Sequence, residues 1–186
     1  MGIGILIVVL IFIFWFAMTF NRFVQLKNMI KQAWSDIDVQ LKRRHDLIPK
    51  LVDTIKGYTS HEKNTLERVV EARSACMSIQ EGKGRQAAEV ALGTGLRQLF
   101  ALAESYPDLK ANQNFLMLQQ QISEVEDNIQ MARRFYNGAV KLYNVQMESF
   151  PSLIVGKLLH YEPAEFFELE AGEEQSPDIS FQEDTK

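Results

Sequence analysis

The sequence is poor in the residues that staple or catalyse. Cys76 is the one cysteine among 186 residues, which excludes an intramolecular disulfide framework and leaves too few thiols for a cysteine-based zinc site. The three histidines, His45, His61 and His160, are scattered, and none has a partner at metal-binding spacing. His61-Glu62 opens like a zinc-protease motif, but the position of its second histidine is Thr65. Glycine is sparse as well. Gly82 and Gly84, and Gly93 and Gly95, are pairs rather than a phosphate-cradling loop. Lys42-Arg43-Arg44 is too short a basic run for a nucleic-acid surface. No strand signal is comparable in length to the helical periodicity of the chain. These absences predict no metal, no cofactor, no nucleic-acid partner and no small-molecule substrate.

What is present is uneven. From Ile3 to Phe20 only Gly4 and Thr19 are not strongly apolar. Eighteen residues of helix measure roughly 27 Å, close to the hydrocarbon thickness of a bilayer. No basic side chain precedes the run and bulky aromatics crowd its end, which disfavours a cleaved signal peptide. Residues 1–21 are therefore expected to be a single-pass membrane anchor. Arg22, Lys27 and Lys31 follow it, so the positive-inside bias places the N-terminus outside and the body in the cytoplasm at the cell (inner) membrane. At the other end, residues 162–186 hold nine acidic side chains and a single basic one, Lys186. Residues 161–186 are expected to be an acidic and largely disordered tail, although Phe166 and Phe167 could equally fold back or dock on a partner.

Between these ends, residues 22–160 read as helices. Ile30, Trp34, Ile37, Leu41, Ile48, Leu51 and Ile55 lie at steps of three, four and seven, one stripe of an amphipathic helix. Nothing between Phe20 and Ala33 looks like a turn, so the anchor is expected to continue into this helix. Pro49 should kink or end it locally, and Gly57 should stop it. Thr59 and Glu62 have capping-box spacing before a second helix whose inner side is marked by Leu66, Val69, Val70, Arg73, Cys76 and Met77. A third helix carries Leu92, Leu96, Leu99 and Ala103 before Tyr106-Pro107-Asp108, where Asp108 favours the next N-terminus. In the fourth, positions 115, 118, 122, 125, 129, 132, 136, 139 and 143 are all apolar or aromatic, a 3.5-residue period of the kind found in coiled coils and long bundles. The predicted fold is all-α: a transmembrane helix, then an antiparallel up-and-down four-helix bundle whose two longest helices stand about 45 Å high.

Asp36, Asp38, Arg43, Arg44, His45 and Asp46 form a dense polar cluster on the first bundle helix. Asp36 and Asp38 are about 200° apart around a helix and cannot converge on one substrate atom. Arg44, by contrast, occupies the apolar stripe, and a buried guanidinium needs a carboxylate. Glu126 is the first candidate and Glu124 the second. Arg73 poses the same problem. Asn137 and Asn144 repeat at seven beside Tyr136 and Tyr143, and should bond to a neighbouring helix or to water. Asp36, Asp38, Arg43, Arg44, Arg73, Glu126, Asn137 and Asn144 are thus the expected structural polar network, with a binding site as the sharper alternative.

Ala33-Trp34-Ser35-Asp36-Ile37-Asp38-Val39-Gln40-Leu41, continuing through His45-Asp46-Leu47-Ile48-Pro49, resembles the signature of the LemA family. Lys56-Gly57-Tyr58, Tyr106-Pro107-Asp108-Leu109-Lys110-Ala111, Arg133-Arg134-Phe135-Tyr136-Asn137 and Tyr143-Asn144 are similar to it too. The resemblance covers roughly residues 20–160 and leaves the acidic tail outside. It implies one N-terminal membrane helix, a compact helical bundle and no known catalytic residue, with an association to membrane metalloproteases of the heat-shock type. The expected function is therefore that of a non-enzymatic, membrane-anchored interaction or scaffold protein, regulating a membrane protease or envelope stress process. A structural homo-oligomer, a ring or array at the membrane surface, is the alternative.

Overall fold

The computed structural model describes residues 1–59, 62–79 and 83–167, and these form six helices with no strand among them. They are α1 (Gly2–Lys56), α2 (Lys63–Ser78), α3 (Lys83–Ala103), α4 (Pro107–Lys110), α5 (Gln113–Glu148) and α6 (Ser152–Leu158). The apolar run and the first amphipathic stripe are one helix of 55 residues, as the missing turn signal predicts. Its residues from Ile3 to Phe14 are exposed, and burial sets in at Thr19, Phe23 and Leu26.

The axis of the fold is the antiparallel pair of α1 and α5. Phe23 meets Tyr143 at one end, Trp34 meets Tyr136 midway, and Arg44 meets Glu126 further on. At 36 residues, α5 is about 54 Å long, a full turn or more beyond the expected height. The 16-residue α2 and the 21-residue α3 are much shorter. They pack as a hairpin on the half of the pair remote from the apolar segment, completing a core of Ile37, Ile48, Leu66, Leu92, Leu99 and Ile122 among others. Gly95 permits the close approach within this hairpin: a methyl group added there would lie 3.2 Å from Val69 Cγ2.

The half nearer the apolar segment is closed differently. There α6 and the extended residues 161–167 fold back over α1 and α5. The chain stays packed as far as Phe167, which is buried on Trp34 with the Arg133 guanidinium 4.6 Å from its ring centroid, whereas Phe166 is half exposed. Residues from 168 on lie outside the described part, as does the expected disorder of the tail.

Several local expectations change. Of the two outcomes expected at Pro49, a kink or an end, the end does not occur, since the first helix runs to Lys56. Val70 and Met77, expected on the inner side of α2, are exposed on its outer side. Thr59 and Glu62 form no capping box: the Thr59 hydroxyl donates back to the Ile55 carbonyl, and the Glu62 side chain, which makes no capping bond, accepts from the Tyr106 hydroxyl at 3.3 Å instead. Asp108 lies in the single turn of α4, and Asn112 caps α5 by accepting from the Phe115 N–H at 3.0 Å.

Candidate functional site

Arg44 lies on the buried stripe of α1 and is only 1% exposed. Its guanidinium bridges two carboxylates from two other helices. Nη1 donates to Glu126 Oε1 on α5 at 2.8 Å, the pairing expected from the sequence. Nη2 donates to Glu89 on α3, a partner that sequence reasoning missed. Glu124, the second candidate, is exposed and accepts from Gln120 instead. Gly93 of α3 lies beside the guanidinium, and a methyl group added there would meet Nη1 at an ordinary contact distance of 3.9 Å.

His45, the next residue, also turns inward. Its Nε2 lies 3.1 Å from Glu89 Oε1. Burial alone would raise the Glu89 carboxyl, but the His45 hydrogen bond and the Arg44 guanidinium outweigh it and hold the group below the usual carboxylate range. Burial likewise works against the charge on Arg44, yet Glu126 and Glu89 more than compensate and strengthen it. Cys76 of α2 completes the cluster. Burial, with the Glu89 carboxylate beside it, pushes its thiol up to about 12.

His45, Cys76 and Glu89 place one donor atom each within 4.8 Å of one another, and all three are buried. The donor types suit a transition metal. Here, however, Arg44 and His45 already engage the carboxylate, and the thiol is held in its protonated form. The arrangement is a hydrogen-bonded ionic cluster that ties α1, α2 and α3 to α5. It contains no activated nucleophile.

Arg73 reaches the same place for another reason. Pro49 has no N–H, so the carbonyl of residue 45, four positions earlier, loses its normal helical partner. Arg73 Nε of α2 donates to that His45 carbonyl at 2.7 Å. A proline within α1 and an arginine on α2 are thus two parts of one joint. Asp38 pairs with Arg85 of α3 at 2.7 Å, while Asp36 and Arg43 are exposed and take no part in the buried cluster.

Asn137 and Asn144 are not in this cluster. They read the backbone of the returning segment. Asn144 Nδ2 donates to the Ala164 carbonyl at 3.0 Å and its Oδ1 accepts from the Ala164 N–H at 2.9 Å. Asn137 does the same with Phe167, at 3.0 and 2.8 Å. Tyr143 and Tyr136 hydroxyls add bonds to the carbonyls of Glu162 and Glu165, each at 3.1 Å. Seven helical residues rise about 10.5 Å and three extended residues about 10 Å, so the heptad repeat matches the strap's residue spacing. The expectation of a helix-to-helix seam gives way to a clamp on an extended chain.

The LemA family model matches residues 33–181, beginning after the apolar run and extending into the acidic tail past residue 160, where the resemblance was expected to stop. The chain is 30% identical over 131 residues to Protein LemA of Metamycoplasma hominis, covering 70% of this chain and 60% of that relative's length. It is 23% identical over 186 residues to Magnetosome protein MamQ 2 of Paramagnetospirillum magneticum, with 86% of this chain and 68% of the relative covered. Magnetosome protein MamQ of Magnetospirillum gryphiswaldense is 23% identical over 178 residues, with 81% and 65% covered.

Proposed function

The chain belongs to the LemA family, and on that premise we propose that it is a membrane-anchored helical module that holds a protein partner beside the bilayer. Among the described residues one helix, α1, is long and apolar enough to cross a membrane. The remainder of that helix carries the anchor rigidly into the body, so the body stands at a set height above the membrane. Arg22, Lys27 and Lys31, just past the apolar run, support a cytoplasmic body through the positive-inside bias.

The observation that carries the binding role is a second apolar row on α5. Met131, Phe135, Leu142 and Val145 are each half exposed, at steps of four, seven and three with Gly138 between them. That is the spacing of a helix-packing seam, and it lies beside the buried stripe rather than within it. Scattered exposed apolar residues need no explanation, but an aligned row marks an interaction face. The row lies in the half of α5 nearer the anchor, within reach of the cytoplasmic base of a neighbouring membrane protein. A second copy of the chain could present the same row, which is the basis for the alternative of a homo-oligomer.

Photo-crosslinkers at positions 135 and 142 in intact membranes test this. A crosslink to a different membrane protein supports the partner reading, and a crosslinked dimer or ladder of this chain supports the oligomer. If neither position crosslinks to protein, the proposal falls. Protease shaving of intact cells tests the orientation: loss of the body would reverse it.

A further inference from the structure

The helix α6 has two unlike sides. Ser152, Val155 and Gly156 are buried, and a methyl group added at Gly156 would lie 3.6 Å from Phe23 Cζ. On the other side Ile154 and Leu158 are 54% and 64% exposed, and Phe150, four residues earlier in the preceding turn, is 82% exposed. Two large apolar side chains at four-residue spacing on α6, and a third in the turn before it, are therefore exposed. Ordinary loop ends do not concentrate apolar surface in this way.

Their position along α1 decides what they face. Phe23, against which α6 packs, lies three residues past Phe20, the end of the apolar run. That separation is about 4.5 Å along the helix axis. The polar layer of a bilayer is roughly 5–7 Å thick on each side. Trp15 and Phe16, which belong to the anchor itself, pack against the cluster formed by Phe23, Leu26, Tyr143 and Val155. The core of the near half thus continues down into the apolar segment, and α6 sits level with its exit. Basic groups lie at the same height. Arg22 and Lys157 are exposed, and Lys27 Nζ lies 3.9 Å from the Tyr161 ring centroid.

We infer that residues 150–158 are a second membrane contact, in which Phe150, Ile154 and Leu158 enter the boundary between headgroups and acyl chains of the leaflet from which α1 emerges. This rests on the anchor reading above. Lys157, between two of the three, extends to the lipid phosphates. The contact is too short to hold the protein alone, since seven residues of helix cannot span a bilayer. Its effect is orientational. A single helix leaves the body free to tilt and to swivel about α1. A second foot one helix width away fixes both, and so fixes the direction in which the exposed row of α5 points.

The test uses the full chain in vesicles of phosphatidylcholine and phosphatidylglycerol. Single nitroxide labels are placed by Ile154→Cys, Leu158→Cys, Val9→Cys and Met117→Cys in a Cys76→Ser background, which keeps a hydroxyl beside Glu89. Position 9 reports the anchor, and position 117, exposed near the remote end of α5, reports water. Relaxation enhancement by oxygen, which concentrates in lipid, is compared with that by a soluble nickel chelate. Labels at 154 and 158 are expected to favour oxygen as position 9 does, the reverse of position 117. Labels at 154 and 158 that behave like 117, while 9 reads lipid, overturn the inference and leave the anchor standing. Labels at 154 and 158 that are immobilised and shielded from both reagents show that protein covers this face, which also overturns it. If position 9 itself reads water, the anchor fails and the inference fails with it. Unchanged helical circular dichroism shows that each labelled chain is folded.

Discussion

Replacing Glu89 by glutamine keeps the volume of the side chain while removing one of the two charges that hold Arg44. The guanidinium is 1% exposed and cannot retreat to water. It would keep Glu126, whose side chain is 36% exposed and whose field is therefore partly screened by solvent. Breaking a buried pair by removing one partner costs about 3–5 kcal/mol, because the remaining charge stays desolvated. For a body of this size that is a fall in Tm of roughly 6–20 °C. The pH dependence has a definite sign. The folded-state pKa of Glu89 lies below its ordinary value, so the stability it contributes is present above the unfolded carboxylate pKa, about 4.3, and is lost as pH falls through the folded value. The wild-type chain should therefore lose a component of stability in acid that Glu89→Gln lacks. The assay is thermal and urea unfolding of the full chain in detergent micelles, from neutral pH down through pH 4. The double variant Arg44→Met with Glu89→Leu should recover most of the loss, since Glu126 can be solvated and an apolar pair replaces a desolvated ionic one. A cost below about 1 kcal/mol for Glu89→Gln, or no recovery in the double variant, would refute the assignment of this cluster as the ionic centre of the fold.

The joint between Pro49 and Arg73 gives a double-mutant cycle. Arg73→Met should cost about 1–3 kcal/mol by orphaning the His45 carbonyl, and should cost measurably less in a Pro49→Ala background, where the helix supplies an N–H; equal costs would remove the explanation. Asn137→Ala and Asn144→Ala each delete two hydrogen bonds to the strap, so each should cost about 1–3 kcal/mol of local stability, and limited proteolysis should then cleave within 161–167 sooner. Cys76, with its thiol pushed up to about 12, should resist maleimide at pH 8 in the folded chain and react at once in denaturant; fast labelling of the native protein would show the cluster to be open. Gly95→Val should be destabilising by about 1–3 kcal/mol through contact with Val69, detected as a lower urea midpoint.

Local periodicity was enough to establish much of this protein. The uninterrupted apolar run, the stripe through Ile37, Leu41 and Ile48, and the heptads from Phe115 to Tyr143 are properties of neighbouring residues, and helices are local structures. An arginine in an apolar stripe also announces a need for a carboxylate, which is why Arg44 and Glu126 could be paired before the helices were placed. Which further groups answer that need is a question of distance between segments. Glu89 looks like any surface acid when read along α3, and nothing in sequence links it to His45 or Cys76, which lie 44 and 13 positions away. Arg73 is a helical arginine until the carbonyl freed by Pro49 is seen beside it. The tertiary structure also gave Asn137 and Asn144 their role. Their repeat at seven fits a helical seam and an extended strap equally well, because both present partners about 10 Å apart. The placing of α6 beside Phe23 completes the list. Nothing along the chain says what residues 152–158 pack against, and only the tertiary structure sets α6 beside the end of the apolar run.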